Sequence, residues 1–283
     1  MCAPAFQGLA VGFFDGVHLG HQAILKGADA ALTFRNHPLS ILAPEKAPRL
    51  IMSPEGRVAA IKACGVKDVT VLEFTPELAG MTAEEFAARY LSSSVSGLPF
   101  TVRCGANWRF GRDGAGDAAF LRKQGFQVEV APYAEYKGGR ISSSRIRRCL
   151  ENGQIEDANA MLGRRFQVSG VRFHGKGLGK DMGYPTVNLK PETLNLKLPR
   201  GVYEVEVEGL KGIANYGFAP TMADRAWPFP VLEVHFPGNQ TIQTSEQSNN
   251  LATSFLRFIR PERKFDSVQD LQRQIAADCA SCF

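Results

Sequence analysis

Gly8-Leu9-Ala10-Val11-Gly12-Phe13-Phe14-Asp15-Gly16-Val17-His18-Leu19-Gly20-His21 reads as a buried strand, Gly8–Phe13, ending in a glycine-bounded turn that opens a helix. Glycines in such a turn let the backbone come close to a phosphate. The helix N-terminus adds unpaired N–H groups and a positive dipole end. His18 and His21 are three residues apart and share a helix face. Imidazoles there can donate to phosphate oxygens and to the charge that builds up in phosphoryl or adenylyl transfer. Gly12, Phe14, Asp15, Gly16 and Gly20 are the candidate nucleotide-contacting residues of this loop. Two other readings stand beside this one: a histidine pair binding a metal, for which no third ligand is evident nearby, and a plain glycine-rich turn with Asp15 as the helix cap.

Working outward, short apolar runs alternate with helical patterns through the first half. Ala31–Phe34, Val69–Leu72, Phe100–Cys104 and Val128–Val130 read as strands. His18–Lys26 reads as a helix, Ser53-Pro54-Glu55 as a capped helix start running toward Gly65, and Thr82-Ala83-Glu84-Glu85 as a capping box. Strands alternating with helices predict a mostly parallel Rossmann-like α/β sheet. Ser144–Leu162 reads as polar helix, and the domain boundary falls at Gly163-Arg164-Arg165, giving domains 1–162 and 163–283. Beyond it the period becomes two, as in Tyr203–Glu208, Val231–Phe236 and Ser254–Ile259. That pattern predicts an antiparallel β-barrel closed by a helix from Ser267 to about Ala280.

Composition agrees with this picture. The chain has 283 residues, 44% hydrophobic and 22% charged, with a net charge of +5. A chain this long buries roughly 70–75% of its unfolded surface and needs no disulfides to fold. The mild basic excess suits anionic small molecules and does not call for nucleic acid. No signal peptide is read at the N-terminus, and no apolar run reaches the ~18 residues of a membrane span. The six scattered cysteines then read as reduced thiols of a cytoplasmic protein. Cys279-Ala-Ser-Cys282 is a CxxC without a second pair, read as a frayed terminal helix, with a redox or zinc role as the lesser alternative. The sequence leaves oligomeric state open, a homo-oligomer included.

Three further clusters carry chemistry. Arg140-Ile141-Ser142-Ser143-Ser144-Arg145 places hydroxyls at a helix N-terminus between basic residues, which suits a triphosphate; an over-supplied N-cap is the plain alternative. Gly105-Ala106-Asn107-Trp108-Arg109-Phe110-Gly111 sets an amide beside two aromatics, suited to a flat polar-edged ring or simply a core aromatic pair. In the second half, His174–Gly183 is a glycine-rich loop with Gly175, Lys176, Gly177, Gly179, Lys180 and Gly183, able to fold over phosphates. It leads into Tyr184-Pro185-Thr186-Val187-Asn188. Thr186 and Asn188, two apart in an extended segment, point to one face and offer hard oxygen ligands to Mg²⁺. Glu233, in Leu232-Glu-Val-His235, is a candidate general base for a primary hydroxyl, or else an outward-facing acidic residue.

Taken in order, these motifs resemble the bacterial bifunctional riboflavin kinase/FAD synthetases. The first half carries G-x-F-D-G-x-H-x-G-H, T-F-x-x-H-P (Thr33–Pro38), G-x-N-aromatic-x-F-G and R-I-S-S-S-x-I-R. These look like the adenylyltransferase module. The second carries G-Y-P-T-x-N, P-x-G-V-Y (Pro199–Tyr203), N-x-G-x-x-P-T (Asn215–Thr221), L-E-V-H and F-x-R-P-E-x-K-F (Phe258–Phe265), which look like the kinase module. The resemblance implies FMN synthesis from riboflavin and ATP, then FAD synthesis from FMN and ATP with release of pyrophosphate, each with Mg²⁺. It assigns His18 and His21 to the ATP phosphates and transition state, and Asn107 to the FMN side. Arg140, Ser143 and Ser144 fall to the triphosphate, Thr186 and Asn188 to Mg²⁺–ATP, and Glu233 to the base.

The chain departs from the family pattern in four places. Only Gln22–Leu32 separate His21 from Thr33, a short crossover. Ser144 stands where the family usually has Thr, and Ala219 where it usually has Arg; Pro237–Thr253 lacks the usual aromatic-acidic pattern. Two readings therefore stay open beside the bifunctional enzyme: a riboflavin kinase with a weak or inactive N-terminal module, and a non-catalytic flavin- or nucleotide-binding protein.

Overall fold

The structure, a computed structural model, describes residues 8–92, 100–174, 183–192, 197–218, 229–239, 242 and 249–283. The chain forms two compact units, residues 1–143 and 144–283.

The first unit is built on five strands: β1 (Gly8–Val11), β2 (Ala30–Phe34), β3 (Asp68–Leu72), β4 (Thr101–Gly105) and β5 (Gln127–Ala131). They pair in the order β3-β2-β1-β4-β5, every neighbour parallel. All four residues of β1 are buried, as a central strand covered on both faces must be. The two-residue alternation divides its side chains. Leu9 and Val11 join a core with Leu32, Val102, Phe86 and Leu121. Ala10 joins another with Phe14, Leu25, Ala31 and Ile61. Helices α1 (Leu19–Leu25) and α2 (Pro54–Ala63) cover the second face, while α3 (Ala83–Phe86) and α4 (Ala118–Lys123) cover the first. The expected caps are present: Ser53 Oγ accepts from Gly56 N, and Thr82 and Glu85 form a reciprocal box.

The short crossover closes without loss of pairing. α1 has seven residues, Gly27 turns the chain at φ +78°, and β2 then pairs with β1 from Leu9↔Ala30 to Val11↔Leu32. Chain direction through the sheet reverses between β1 and β4. Ligands of open parallel sheets bind at that switch, beyond the carboxyl ends of the two strands. Gly12–His21 follows β1 and Ala106–Gly111 follows β4, so the topology places both motifs at the switch point.

In the second unit, the segment expected as one helix is two, α5 (Ser143–Glu151) and α6 (Ile155–Leu162), counting Ser143 as the first residue of α5. The break is at Gly153, whose φ of +73° disfavours a side chain and where a Cβ would lie tight against the Phe258 ring at 3.0 Å. Asn159 of α6 donates to Phe255 O at 2.8 Å and accepts from Phe166 N at 2.7 Å. Next come β6 (Phe166–Phe173), β7 (Thr186–Pro191), β8 (Gly201–Val207), β9 (Leu210–Gly217), β10 (Val231–His235) and β11 (Asn250–Pro261). These close into an antiparallel barrel, as predicted, in the order β8-β9-β10-β7-β6-β11. Tyr203, Val205 and Val207 point inward and are wholly buried. Between them Glu204 and Glu206 face outward, onto Arg257 at 3.3 Å and Arg165 at 2.6 Å. The closing helix α7 (Val268–Ala280) is capped by Ser267 and tied to β11 by the Arg260–Asp278 ion pair at 2.7 Å. Among the described residues, no helix is long and apolar enough to cross a membrane.

Candidate active sites

The turn after β1 is held in a conformation side chains rarely adopt. Phe14, Gly16 and Val17 all have positive φ, +55°, +83° and +39°. Strain of this kind persists where surrounding structure enforces it, and functional sites are where it clusters. Phe14 is 1% exposed and packs into the core beneath the loop. A Cβ on Gly12 would lie 2.9 Å from that ring, and one on Gly20 3.2 Å from the His18 ring. Asp15 is buried with both carboxylate oxygens accepting Ile51 N, at 3.0 and 3.2 Å. The cap of α1 is therefore His18: its Nδ1 accepts from His21 N at 3.3 Å. That bond leaves Nδ1 without a proton, so in the neutral ring the hydrogen sits on Nε2 as a donor.

The two imidazoles stack, with centroids 3.6 Å apart and planes 17° apart. Burial, and then the neighbouring His18, hold His21 well below the ordinary histidine value of 6.5. Its buried Nδ1 has no hydrogen-bond partner among the described residues. An orphaned polar atom at a strained helix entrance fits a phosphate-bearing ligand.

Other predicted residues gather here. Ser143 Oγ donates to Asp15 O at 2.9 Å, which ties the R-I-S-S-S segment to the loop. Arg140 Nη2 donates to Asn107 Oδ1 at 3.0 Å, and both side chains are exposed. Arg140 also lies 3.7 Å over the Tyr133 ring. Ser144 is exposed one residue further on. Trp108 stacks on Phe110 at 4.6 Å, but Phe110 is a core residue, so only half-buried Trp108 is left to meet a ring.

Arg57 is a residue that sequence reasoning passed over. It is 0% exposed, donates from Nη2 to Phe34 O at 2.6 Å and Arg35 O at 2.9 Å, and lies 4.2 Å over the Phe13 ring. Its Nε and Nη1 have no hydrogen-bond partner among the described residues. Burial lowers its pKa, and Asp15 opposes that shift.

On the barrel, Asn188 of β7 faces Glu233 of β10 directly, and Thr186 faces His235. With a period of two, Thr186, Asn188 and Glu233 share one face. Asn215 of β9 stands on the other side of Glu233 in the same row. Asn215 Nδ2 donates to Glu262 Oε1 at 3.3 Å. Burial, and then Glu262, push the Glu233 carboxyl up, which makes it a stronger base. His235, given no role from sequence, donates from Nδ1 to Pro185 O at 3.0 Å and packs edge-on against Tyr184 at 5.1 Å. It thereby fixes the strand start that carries Thr186. Pro185 and Gly183 are exposed at that start. Gly175, Lys176, Gly177, Gly179 and Lys180 lie outside the described residues, as does Ala219.

Comparison with known proteins matches both halves. A family model described as FAD synthetase matches residues 5–145, and one described as riboflavin kinase matches residues 162–282. A bifunctional riboflavin kinase/FMN adenylyltransferase of Pseudomonas fluorescens is 34% identical, covering 96% of this chain and 90% of its own. The chain belongs to this bifunctional family. Relatives of the same name from Escherichia coli K12 and Bacillus subtilis are 31% and 30% identical, each over 95% of this chain and 90% and 89% of their own. A solved structure described as a macrolide-efflux protein from Streptococcus pneumoniae is 29% identical with a TM-score of 0.83, covering 99% of this chain and 94% of that one. The family's two modules correspond to the parallel sheet and the barrel.

Proposed function

We propose that residues 163–283 phosphorylate the ribityl 5′-hydroxyl of riboflavin with ATP, and that residues 1–162 join FMN to the AMP moiety of a second ATP. In the kinase, Glu233 takes the hydroxyl proton and frees the oxygen to attack the γ-phosphorus. Thr186 and Asn188 would hold Mg²⁺, which would neutralise phosphate charge. A hydroxyl and an amide carbonyl on one strand face fit a hard cation that phosphate completes. Gly175, Lys176, Gly177, Gly179, Lys180, Gly183 and Pro185 cover the phosphates.

In the adenylyltransferase, the FMN phosphate attacks the α-phosphorus and pyrophosphate leaves. No covalent enzyme intermediate is needed, so the work is positioning and charge stabilisation. His18 Nε2–H donates to phosphate, and neutral His21 stacks behind it. Gly12, Phe14, Asp15, Gly16 and Gly20 shape the cradle. Arg140, Ser143 and Ser144 hold the triphosphate tail, and Asn107 meets the FMN phosphate. The enzyme acts on small molecules in the cytoplasm.

The observation that carries the reading is the register that sets Asn188 opposite Glu233 with Thr186 on the same face. The test is product analysis by chromatography with ATP and Mg²⁺, once with riboflavin and once with FMN. FMN from the first and FAD from the second are expected. FMN without FAD leaves a kinase alone, and bound flavin without product leaves a binding protein.

A further inference from the structure

The Cys279-Ala-Ser-Cys282 motif takes part in neither site. It closes α7, where Cys282 N and Phe283 N both donate to Cys279 O, at 2.9 and 3.0 Å. The three-residue bond tightens the last turn toward 3₁₀ geometry, in which side chains at i and i+3 eclipse. Three residues at ~2.0 Å rise put the Cα atoms about 6 Å apart along the axis. A disulfide spans about 4.4–6.8 Å. Both thiols are half-buried, unlike Cys104, which lies in the core of the first unit.

The two sulfurs differ in what surrounds them. Arg257 of β11 reaches the turn and donates from Nη2 to Ser281 O at 2.9 Å and to Cys282 Sγ at 3.5 Å. Its Nε holds Glu204 at 3.3 Å, so the guanidinium is anchored in place. Ser281 Oγ lies 3.6 Å from the same sulfur. Burial, with Cys282 and Asp278 nearby, pushes the Cys279 thiol up. Cys282 thus has a fixed guanidinium beside its sulfur, and Cys279 has none among the described residues and is pushed up by burial. That asymmetry separates an attacking from a resolving cysteine.

We propose that Cys279 and Cys282 form a thiol–disulfide exchange site for low-molecular-weight disulfides, in which Cys282 attacks, Arg257 is its charge partner and Cys279 resolves. The Cys282 thiolate attacks one sulfur of R–S–S–R, a Cys282–S bond forms, and R–S⁻ leaves. Cys279 gives its proton to solvent and attacks Cys282 Sγ, and the second R–S⁻ leaves. Two protein thiols are oxidised by two electrons, and the small disulfide is reduced to two thiols. The new bond draws Cys282 Sγ toward Cys279 and away from Arg257.

The test uses the full chain and glutathione disulfide, with N-ethylmaleimide quenching and peptide mass analysis. A Cys279–Cys282 disulfide is expected while Cys64 stays alkylatable. Cys279→Ser should trap glutathione on Cys282. Cys282→Ser should take glutathione onto Cys279 at least about tenfold more slowly than that. Arg257→Gln should slow capture at Cys282 by about tenfold, with Arg257→Lys falling between it and the parent. No disulfide between the pair, equal capture by the two serine variants, or an Arg257→Gln rate equal to the parent's overturns the proposal. If Arg257→Gln does not fold, the two serine variants decide it.

Discussion

Asn188 and Glu233 stand opposite one another in the antiparallel pair β7–β10, so the proposed metal ligand of one strand and the proposed base of the other are set by a single register. A slip of one residue in either strand would turn that strand's side chain to the opposite face and separate the pair. Glu233→Gln keeps the shape and removes the proposed base. FMN formation should fall by about 10²-fold or more, while FAD formation from added FMN is unchanged. Chromatographic rates for the two substrates check this, and an equal loss of both would contradict separate sites.

Glu262 is a second carboxylate that raises the Glu233 pKa. A base in this proposed role works deprotonated, so activity should be lost as pH falls through that pKa. Glu262→Gln removes one of the two upward causes and leaves burial. The acid limb of the kcat profile for FMN formation should therefore move to lower pH. A limb that stays in place would show that burial alone sets it.

Gly217→Ala probes the same contact by shape. A Cβ there would meet Glu262 Oε1, the end of a flexible side chain that can swing away and release Asn215. The fold should survive, and the acid limb should shift in the same direction as in Glu262→Gln. A limb lying between those of the parent and of Glu262→Gln is the expected result.

The His21 ring is held well below its ordinary pKa by burial. Below the ordinary value of 6.5 the unfolded chain takes up a proton that the folded chain refuses. Stability of the first unit should then fall as pH drops from that value toward the depressed one. His21→Gln should flatten this dependence in thermal melts between neutral and mildly acidic pH, and should slow FAD formation. His18→Ala should also slow FAD formation and spare FMN formation.

Arg57 joins the end of β2 to the Phe13 ring at the entrance of the loop. Arg57→Met removes a costly buried cation and also strips two carbonyls of their donor. These effects oppose each other, so stability should change by no more than about 2 kcal/mol. FAD formation should fall by about tenfold, because a small misplacement of the loop is enough. Paired melting and activity measurements check both statements.

Much of this was legible from local patterns. Ser53, Thr82 and Ser267 announce their helices because capping is a contact within one turn. Thr186 and Asn188 announce a shared face because strands alternate. What could not be read depends on partners far along the chain. Asp15 looks like a helix cap until Ile51, thirty-six residues on, takes its carboxylate. Phe110 looks like a ligand platform until the sheet core claims it. Glu262 gains its meaning only when β11 brings it to Asn215, forty-seven residues away. The Ser144–Leu162 segment looks like one helix until Phe258 closes over Gly153.

The seven-residue length of α1 has a consequence for how the proposed nucleotide site comes into being. Isolated helices shorter than about 12–15 residues are marginal in water. The His18–His21 stack therefore forms only when β1, β2 and β4 have assembled around it. The geometry of that proposed site and the folding of the sheet are one event. A nucleotide that grips these imidazoles should raise the melting temperature of the whole first unit, because no partly folded form can offer it the same grip.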